Sequence, residues 1–146
     1  MIPPPQLKEI YQKIFAIQTN GVKIVTGDPV ASMLLGSAVK DDCGNTAVGG
    51  CAAGISGLTI LPDGTVSPCR RLSVAIGNIR QDSLREIWAD SPVLNQLRDR
   101  ASYQGKCATC RRWALCRGCR AIAYAASLAH GEGYLLSTDP QCFMAE

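Results

Sequence analysis

The chain has 146 residues, 47% of them hydrophobic, 5% aromatic and 18% charged, enough for one domain able to bury ~68% of its unfolded surface. A net charge of +3 is too small for a nucleic-acid footprint unless it is clustered. No run of eighteen apolar residues is present to span a membrane, so neither nucleic acid nor membrane is an expected partner.

The opening Met1-Ile2-Pro3-Pro4-Pro5 lacks the basic region and long apolar run of a signal peptide, and a cytoplasmic location is expected. Leu7, Ile10, Tyr11, Ile14, Phe15 and Ile17 recur mostly at three- and four-residue steps, which predicts an amphipathic helix from about Pro5 to Thr19, ended by Asn20-Gly21. Val22-Lys23-Ile24-Val25 reads as a short β-branched strand. Asp28 before Pro29 reads as an N-cap with proline at the first helical position, opening a short helix through Leu35.

Gly36 to Gly54 is rich in small and polar residues and carries Cys43 and Cys51, which predicts a loop wrapped around metal. Gly57 to Leu61, the turn Pro62-Asp63-Gly64 and Thr65-Val66-Ser67 predict a β-hairpin that delivers Cys69, because Asp-Gly supplies the positive φ of a tight turn. Helices are predicted over Ser83 to Ala89 and Ser91 to Arg100, the second with Pro92 at its first position. Leu84, Ile87, Trp88, Val93, Leu94 and Leu97 supply their apolar face, with Trp88 expected in the core. An alanine-rich helix from Arg120 to Ala129 follows, capped near His130-Gly131. His130 is the chain's single histidine, and no acid-base or nucleophilic role is assigned to it, since such sites need partners.

The eight cysteines carry the chemistry. Cys43, Cys51, Cys69 and Cys142 are widely spread, whereas Cys107, Cys110, Cys116 and Cys119 form C-x2-C-x5-C-x2-C. A C-x2-C step lets two thiolates converge on one metal centre, and eight thiolates match two four-cysteine sites. A disulfide framework would allow 105 pairings, but such frameworks belong to small secreted domains with more than ~8% cysteine. Four-thiolate zinc uses the same steps and remains an alternative, although its knuckles usually stand ~15–20 residues apart and only five residues separate Cys110 from Cys116. Arg111, Arg112, Arg117 and Arg120 lie among these cysteines, where guanidinium groups can offset the negative charge of a thiolate-ligated cluster and raise its potential.

The stretch from Cys43 to Cys142, about two thirds of the chain, resembles the SPASM domain, the C-terminal auxiliary-cluster extension of many radical SAM enzymes. The resemblance rests on Cys51, Gly64 and Cys69 in order, on C-x2-C-x5-C, on a nearby fourth cysteine and a late solitary one. Leu61-Pro62-Asp63-Gly64-Thr65-Val66-Ser67-Pro68-Cys69, Gly77-Asn78-Ile79 and Ser83-Leu84-Arg85-Glu86-Ile87-Trp88 also look like family segments. One departure stands out: two residues separate Cys116 from Cys119, where the family spacing is three.

The resemblance implies an α+β fold, with a small β-hairpin, short helices and cysteine-rich loops wrapped around two [4Fe-4S] clusters. It implies two interleaved ligand sets, Cys43, Cys51, Cys69 and Cys119 for the first cluster and Cys107, Cys110, Cys116 and Cys142 for the second. Residues 1–42 are then expected to be a helix and linker from a radical SAM barrel, and residues 43–146 the auxiliary domain. The C-x3-C-x2-C triplet that cleaves S-adenosylmethionine does not occur in this sequence, so that cofactor would act only through a missing N-terminal domain and the stretch alone should be inactive. The expected role is electron transfer and substrate positioning in an oxidoreductase or maturase. Expected partners are a catalytic barrel in cis or trans, an electron donor or acceptor protein, and a peptide, protein or small-molecule substrate such as a tetrapyrrole. The alternative is a stand-alone iron-sulfur or zinc module for electron carriage or partner recognition.

Overall fold

A computed structural model describes residues 1–34 and 45–144. Helix α1 (Pro4–Ala16) starts where the prolines predict, with proline in its first turn, where the missing N–H is no loss. It ends three residues before Thr19, and only Leu7 of its apolar stripe is fully buried. The Tyr11 hydroxyl donates to Asp28 Oδ2 at 2.6 Å and ties the helix to the segment that follows. Val22 to Val25 is not a strand: Val22 and Val25 are 69% and 71% exposed and no second strand among the described residues pairs with them. A β-branched run without a partner gains no ladder bonds, and local propensity does not replace them.

Asp28 is not the N-cap as predicted: it lies one residue before that position, which Pro29 takes without a side-chain bond, although Asp28 Oδ1 accepts from the Val30 N–H at 3.0 Å. Pro29 opens a single 3₁₀ turn, Val30–Met33, in place of the predicted helix; Leu35, its expected end, lies outside the described residues. Val30 and Ala31 are buried, and the Ser32 hydroxyl donates to the Leu115 carbonyl at 3.1 Å, docking this turn on the cysteine-rich stretch.

The hairpin is present as β1 (Thr59–Ile60) and β2 (Thr65–Ser67), antiparallel with Thr59 opposite Ser67 and Ile60 opposite Val66. Gly64 sits at φ +89° and its N–H donates to the Leu61 carbonyl, while the Asp63 carboxylate accepts from both the N–H and the hydroxyl of Thr65. A third strand, β3 (Gly77–Asn78), pairs antiparallel with β2, so the sheet has the order β1-β2-β3. Glycine is a poor strand former, but here a Cβ at Gly77 would stand 2.7 Å from Ile87 Cδ1. The strand needs glycine to let helix α2 (Leu84–Asp90) lie close.

Ser91 ends α2 and begins α3 (Pro92–Arg98), its hydroxyl accepting from the Leu94 N–H. Ile87, Leu94 and Leu97 face inward as predicted, but Leu84 is 44% exposed and Trp88 is not in the core. Trp88 is a stacking surface for the Arg98 guanidinium, 4.4 Å from the ring centre, which suits a half-exposed aromatic better than burial without an N–H partner. Leu94 and Leu97 pack with Tyr103, Cys107, Trp113, Ala114 and Leu136. Tyr103 and Trp113 meet edge to face at 5.4 Å, and the Tyr103 hydroxyl donates to the Leu97 carbonyl. This apolar cluster lies directly behind the cysteine knuckles, and it mixes helical and irregular elements with the small sheet in an α+β architecture.

Short turns carry the rest: a 3₁₀ turn Arg100–Ser102, helix α4 (Lys106–Thr109) and a 3₁₀ turn Trp113–Leu115. Helix α5 (Arg120–Ala129) has the predicted bounds. It closes in a Schellman arrangement, Gly131 N–H to the Leu128 carbonyl and Glu132 N–H to the Ser127 carbonyl, with Gly131 at φ +80°. His130 is exposed at that end. No helix among the described residues is long and apolar enough to cross a membrane.

Candidate metal centres

The knuckle is built from two tight turns. Cys107 lies on α4 and Cys110 just after it, and the Trp113 N–H donates back to the Cys110 carbonyl at 3.1 Å. The chain then passes through Trp113–Leu115 to Cys116 and turns sharply, because Arg117 and Gly118 both sit in the left-handed region, at φ +60° and +61°. Two consecutive left-handed residues reverse the chain within one step, so that Cys116 and Cys119 look into different spaces. This is how the two-residue spacing is accommodated. A left-handed non-glycine residue costs ~1–2 kcal/mol, offset here by the bonds Arg117 makes.

The larger space, a cavity of about 930 Å³, is lined by Cys107, Cys110, Cys116 and Cys142, with Trp113 and Asp139 among its other walls. The smaller, about 240 Å³, is lined by Cys51, Cys69 and Cys119, with Pro29 and Arg71 beside them. Seven of the eight expected ligands therefore line one cavity or the other, and none lines both; Cys43 lies outside the described residues. Among the described residues no three Cys, His, Asp or Glu side chains converge on a single-ion site.

Backbone bonds hold the two spaces together. The N–H groups of Val48 and Gly49 donate to the Ala114 carbonyl, and that of Cys51 to the Cys116 carbonyl at 3.1 Å. Gly50 makes that approach possible, since at φ +74° a Cβ there would stand 2.6 Å from the Cys116 Cα. Gly50→Ala should lower the melting temperature, costing at least ~1–2 kcal/mol for the left-handed backbone alone, and should reduce metal content at both cavities. Unchanged melting and iron content would show that this contact does not hold the sites together.

Burial pushes the Cys116 thiol up to about 12; the Gly118 N–H offsets part of this, and neighbouring Cys107, Cys142 and Asp139 add to it. Cys142 is raised for the same first reason, with Cys107 and Cys110 as its thiol neighbours. Cys119 is raised chiefly by burial, with Arg71 lowering and Cys51 raising it. A metal that takes these sulfurs as thiolates displaces their protons.

Two arginines are buried in this region, Arg117 at 3% and Arg120 at 1% exposure. Arg117 donates to the carbonyls of Ala114, Gly49 and Cys51 and lies over the Trp113 ring at 5.5 Å. Arg120 donates to the Ser137 carbonyl at 2.8 Å and points Nη2 at Cys107 Sγ, 3.8 Å away. Its Nε is buried without a hydrogen-bond partner. Neither makes a direct ion pair with a carboxylate among the described residues, although Arg120 lies close enough to the buried Asp139 to favour its charged form. Buried cations need compensation, and a thiolate-ligated cluster is net negative, so the soft donor set and the buried cations both fit an iron-sulfur group. Arg111 is exposed on the rim of the larger cavity, with Arg112 also in its wall.

The sequence did not reveal Asp139, which is 1% exposed. Its carboxylate accepts from the N–H of Cys119 at 2.7 Å and of Gln141 at 2.8 Å, and its carbonyl accepts from Cys142 N–H at 3.0 Å. Burial raises its pKa, against these N–H donors. Asp139-Pro140 signals a turn, but nothing local tells which distant amide the carboxylate will meet.

The family model of the SPASM iron-sulfur cluster-binding domain matches residues 51–120. This stretch belongs to the SPASM family. The matched SPASM segment contains six of the eight cysteines, all except Cys43 and Cys142. Over 93 residues the chain is 41% identical to the AdoMet-dependent heme synthase of Methanosarcina barkeri, covering 64% of this chain and 25% of the relative. The AdoMet-dependent heme synthase of Nitratidesulfovibrio vulgaris is 37% identical over 93 residues, 64% of this chain and 24% of the relative. The PqqA peptide cyclase of a Methylobacterium species is 30% identical over 96 residues, 60% of this chain and 23% of the relative. The chain thus spans about a quarter of the length of these curated relatives.

Proposed function

We propose that this chain is the auxiliary-cluster part of a radical SAM oxidoreductase or maturase, with two [4Fe-4S] clusters serving electron transfer and substrate positioning. The observation that carries the reading is the sorting of thiols between two cavities within a SPASM stretch. Cys43, Cys51, Cys69 and Cys119 would hold the first cluster, and Cys107, Cys110, Cys116 and Cys142 the second. Bound there, the clusters supply one-electron transfer with all protein ligand positions filled, and the protein environment sets their potentials.

The chain's own residues prepare that chemistry. Trp113 forms part of the larger cavity's wall, with Leu115 buried next to it, Arg117 fixes the Gly49–Cys51 backbone against Ala114, and Asp139 orients the Cys119 and Cys142 backbone. Residues 1–42 would lead from a barrel domain that cleaves S-adenosylmethionine, in cis or in trans, within the cytoplasm. The substrate class follows the named relatives, a heme synthase and a peptide cyclase: a tetrapyrrole, peptide or protein. A redox protein would deliver or remove the electron.

Anaerobic reconstitution tests the reading. About eight irons and eight sulfides per chain are expected, four of each per cluster, with visible absorbance that bleaches on reduction. Two zincs and no iron after anaerobic expression would overturn it in favour of a structural zinc module.

A further inference from the structure

We propose that Arg120 sets the reduction potential of the second cluster, the one assigned to Cys107, Cys110, Cys116 and Cys142. The inference rests on that assignment and adds a residue with a defined effect. Arg120 is the first residue of α5, directly after Cys119, so its backbone belongs beside the first ligand set while its side chain crosses to the second. Three contacts fix the guanidinium: Nη1 on the Ser137 carbonyl at 2.8 Å, the Tyr103 ring at 5.1 Å, and Nη2 toward Cys107 Sγ at 3.8 Å.

Other charges stand nearby. Lys106, Arg111, Arg112 and Arg117 line the same cavity, but Arg117 directs its donors to three carbonyls, whereas Arg120 directs one at a ligand sulfur; the buried Asp139 carboxylate, close to Arg120, offsets part of the Arg120 charge. At 1% exposure the Arg120 charge is almost unscreened by solvent. Reduction adds a negative charge to a cluster that is already negative, so a fixed cation within reach of one of its sulfurs favours the reduced form and raises the potential.

Arg71 is the built-in comparison. Its Nη2 lies 3.7 Å from Cys119 Sγ in the other set, but the residue is exposed, and salt screens it.

The test is a potentiometric titration of the anaerobically reconstituted chain, followed by electron paramagnetic resonance, with iron content measured for every variant and the second cluster's signal identified through Cys142→Ala. Arg120→Gln should load iron as the unsubstituted chain does. It should shift only the second cluster, by at least tenfold in its reduction equilibrium toward the oxidised form, about 59 mV for one electron. Arg120→Lys should recover part of that shift. Arg71→Gln should move only the first cluster, by less, and the difference should vanish at high salt. Full iron with unmoved potentials in Arg120→Gln, or equal shifts of both clusters, would overturn the proposal. Failure of both Arg120 variants to load iron would also overturn it, leaving Arg120 a purely structural residue. A chain that loads no iron without any substitution would instead overturn the cluster assignment itself.

Discussion

Cys142→Ala and Cys107→Ala should each abolish the same spectroscopic species and leave about half the iron, whereas Cys51→Ala and Cys43→Ala should abolish the other. For the described thiols the expectation follows from the cavity walls: Cys142 returns from the far end of the described chain to the space lined by Cys107, Cys110 and Cys116, and Cys51 shares its space with Cys69 and Cys119; for Cys43 it follows from the family resemblance alone. A cubane cluster is held by four thiolates, so losing one ligand from a set should cost that whole cluster and spare its neighbour. Cys116 and Cys119 make the sharpest comparison, because they are adjacent knuckle residues on opposite sides of the Arg117-Gly118 reversal. Their alanine variants should remove different species. If Cys142→Ala and Cys51→Ala remove the same species, the two-set assignment is wrong.

Chelation of the reduced chain should unfold most of residues 45–144. The sheet consists of strands of two, three and two residues, which cannot stand alone; Val66, Pro68 and Leu72 are buried around Cys69, but the segment carrying Cys51 buries little beyond Ala53. Structural four-ligand metal sites contribute ~10–16 kcal/mol in small domains, against a net stability of ~5–15 kcal/mol for an ordinary domain. Metal therefore decides the outcome. A remnant around Leu94, Leu97, Tyr103 and Trp113 should keep weak protection, since these side chains pack on one another as well as on the cysteines. Helix α1, with 13 residues, should persist only marginally. Amide hydrogen exchange and circular dichroism read the result; native-like protection from Cys51 to Cys119 without metal would mean that the cysteines are incidental to the fold.

Sequence and structure agree where a residue acts through its neighbours in the chain. Asp63-Gly64 makes its turn, Ser91-Pro92 starts α3, and Gly131 ends α5 because capping and turn chemistry is decided within a few residues. The grouping of thiols was legible only through family resemblance, since spacing alone cannot say which distant cysteine joins which knuckle. Elsewhere the deciding partner is remote. Val22 to Val25 finds no strand among the described residues to pair with, Gly77 becomes a strand residue because Ile87 comes to lie on it, and Trp88 turns outward to meet Arg98. Asp139 and the left-handed Arg117 were missed for the same reason, as both are held by backbone groups far away in the sequence.

The segment from Leu136 to Cys142 acts as a clasp. The Leu136 carbonyl takes the Gln104 N–H, Ser137 takes Arg120, Thr138 takes the Lys106 N–H, and Asp139 takes the Cys119 N–H. A ribosome delivers Gln104, Lys106, Cys119 and Arg120 before any of those acceptors exists. During synthesis the knuckle must therefore wait, its thiols open to oxidants and stray metals, until the clasp has emerged. Any group that needs the wall formed by Thr138, Asp139 and Cys142 can be enclosed only after this segment has been made.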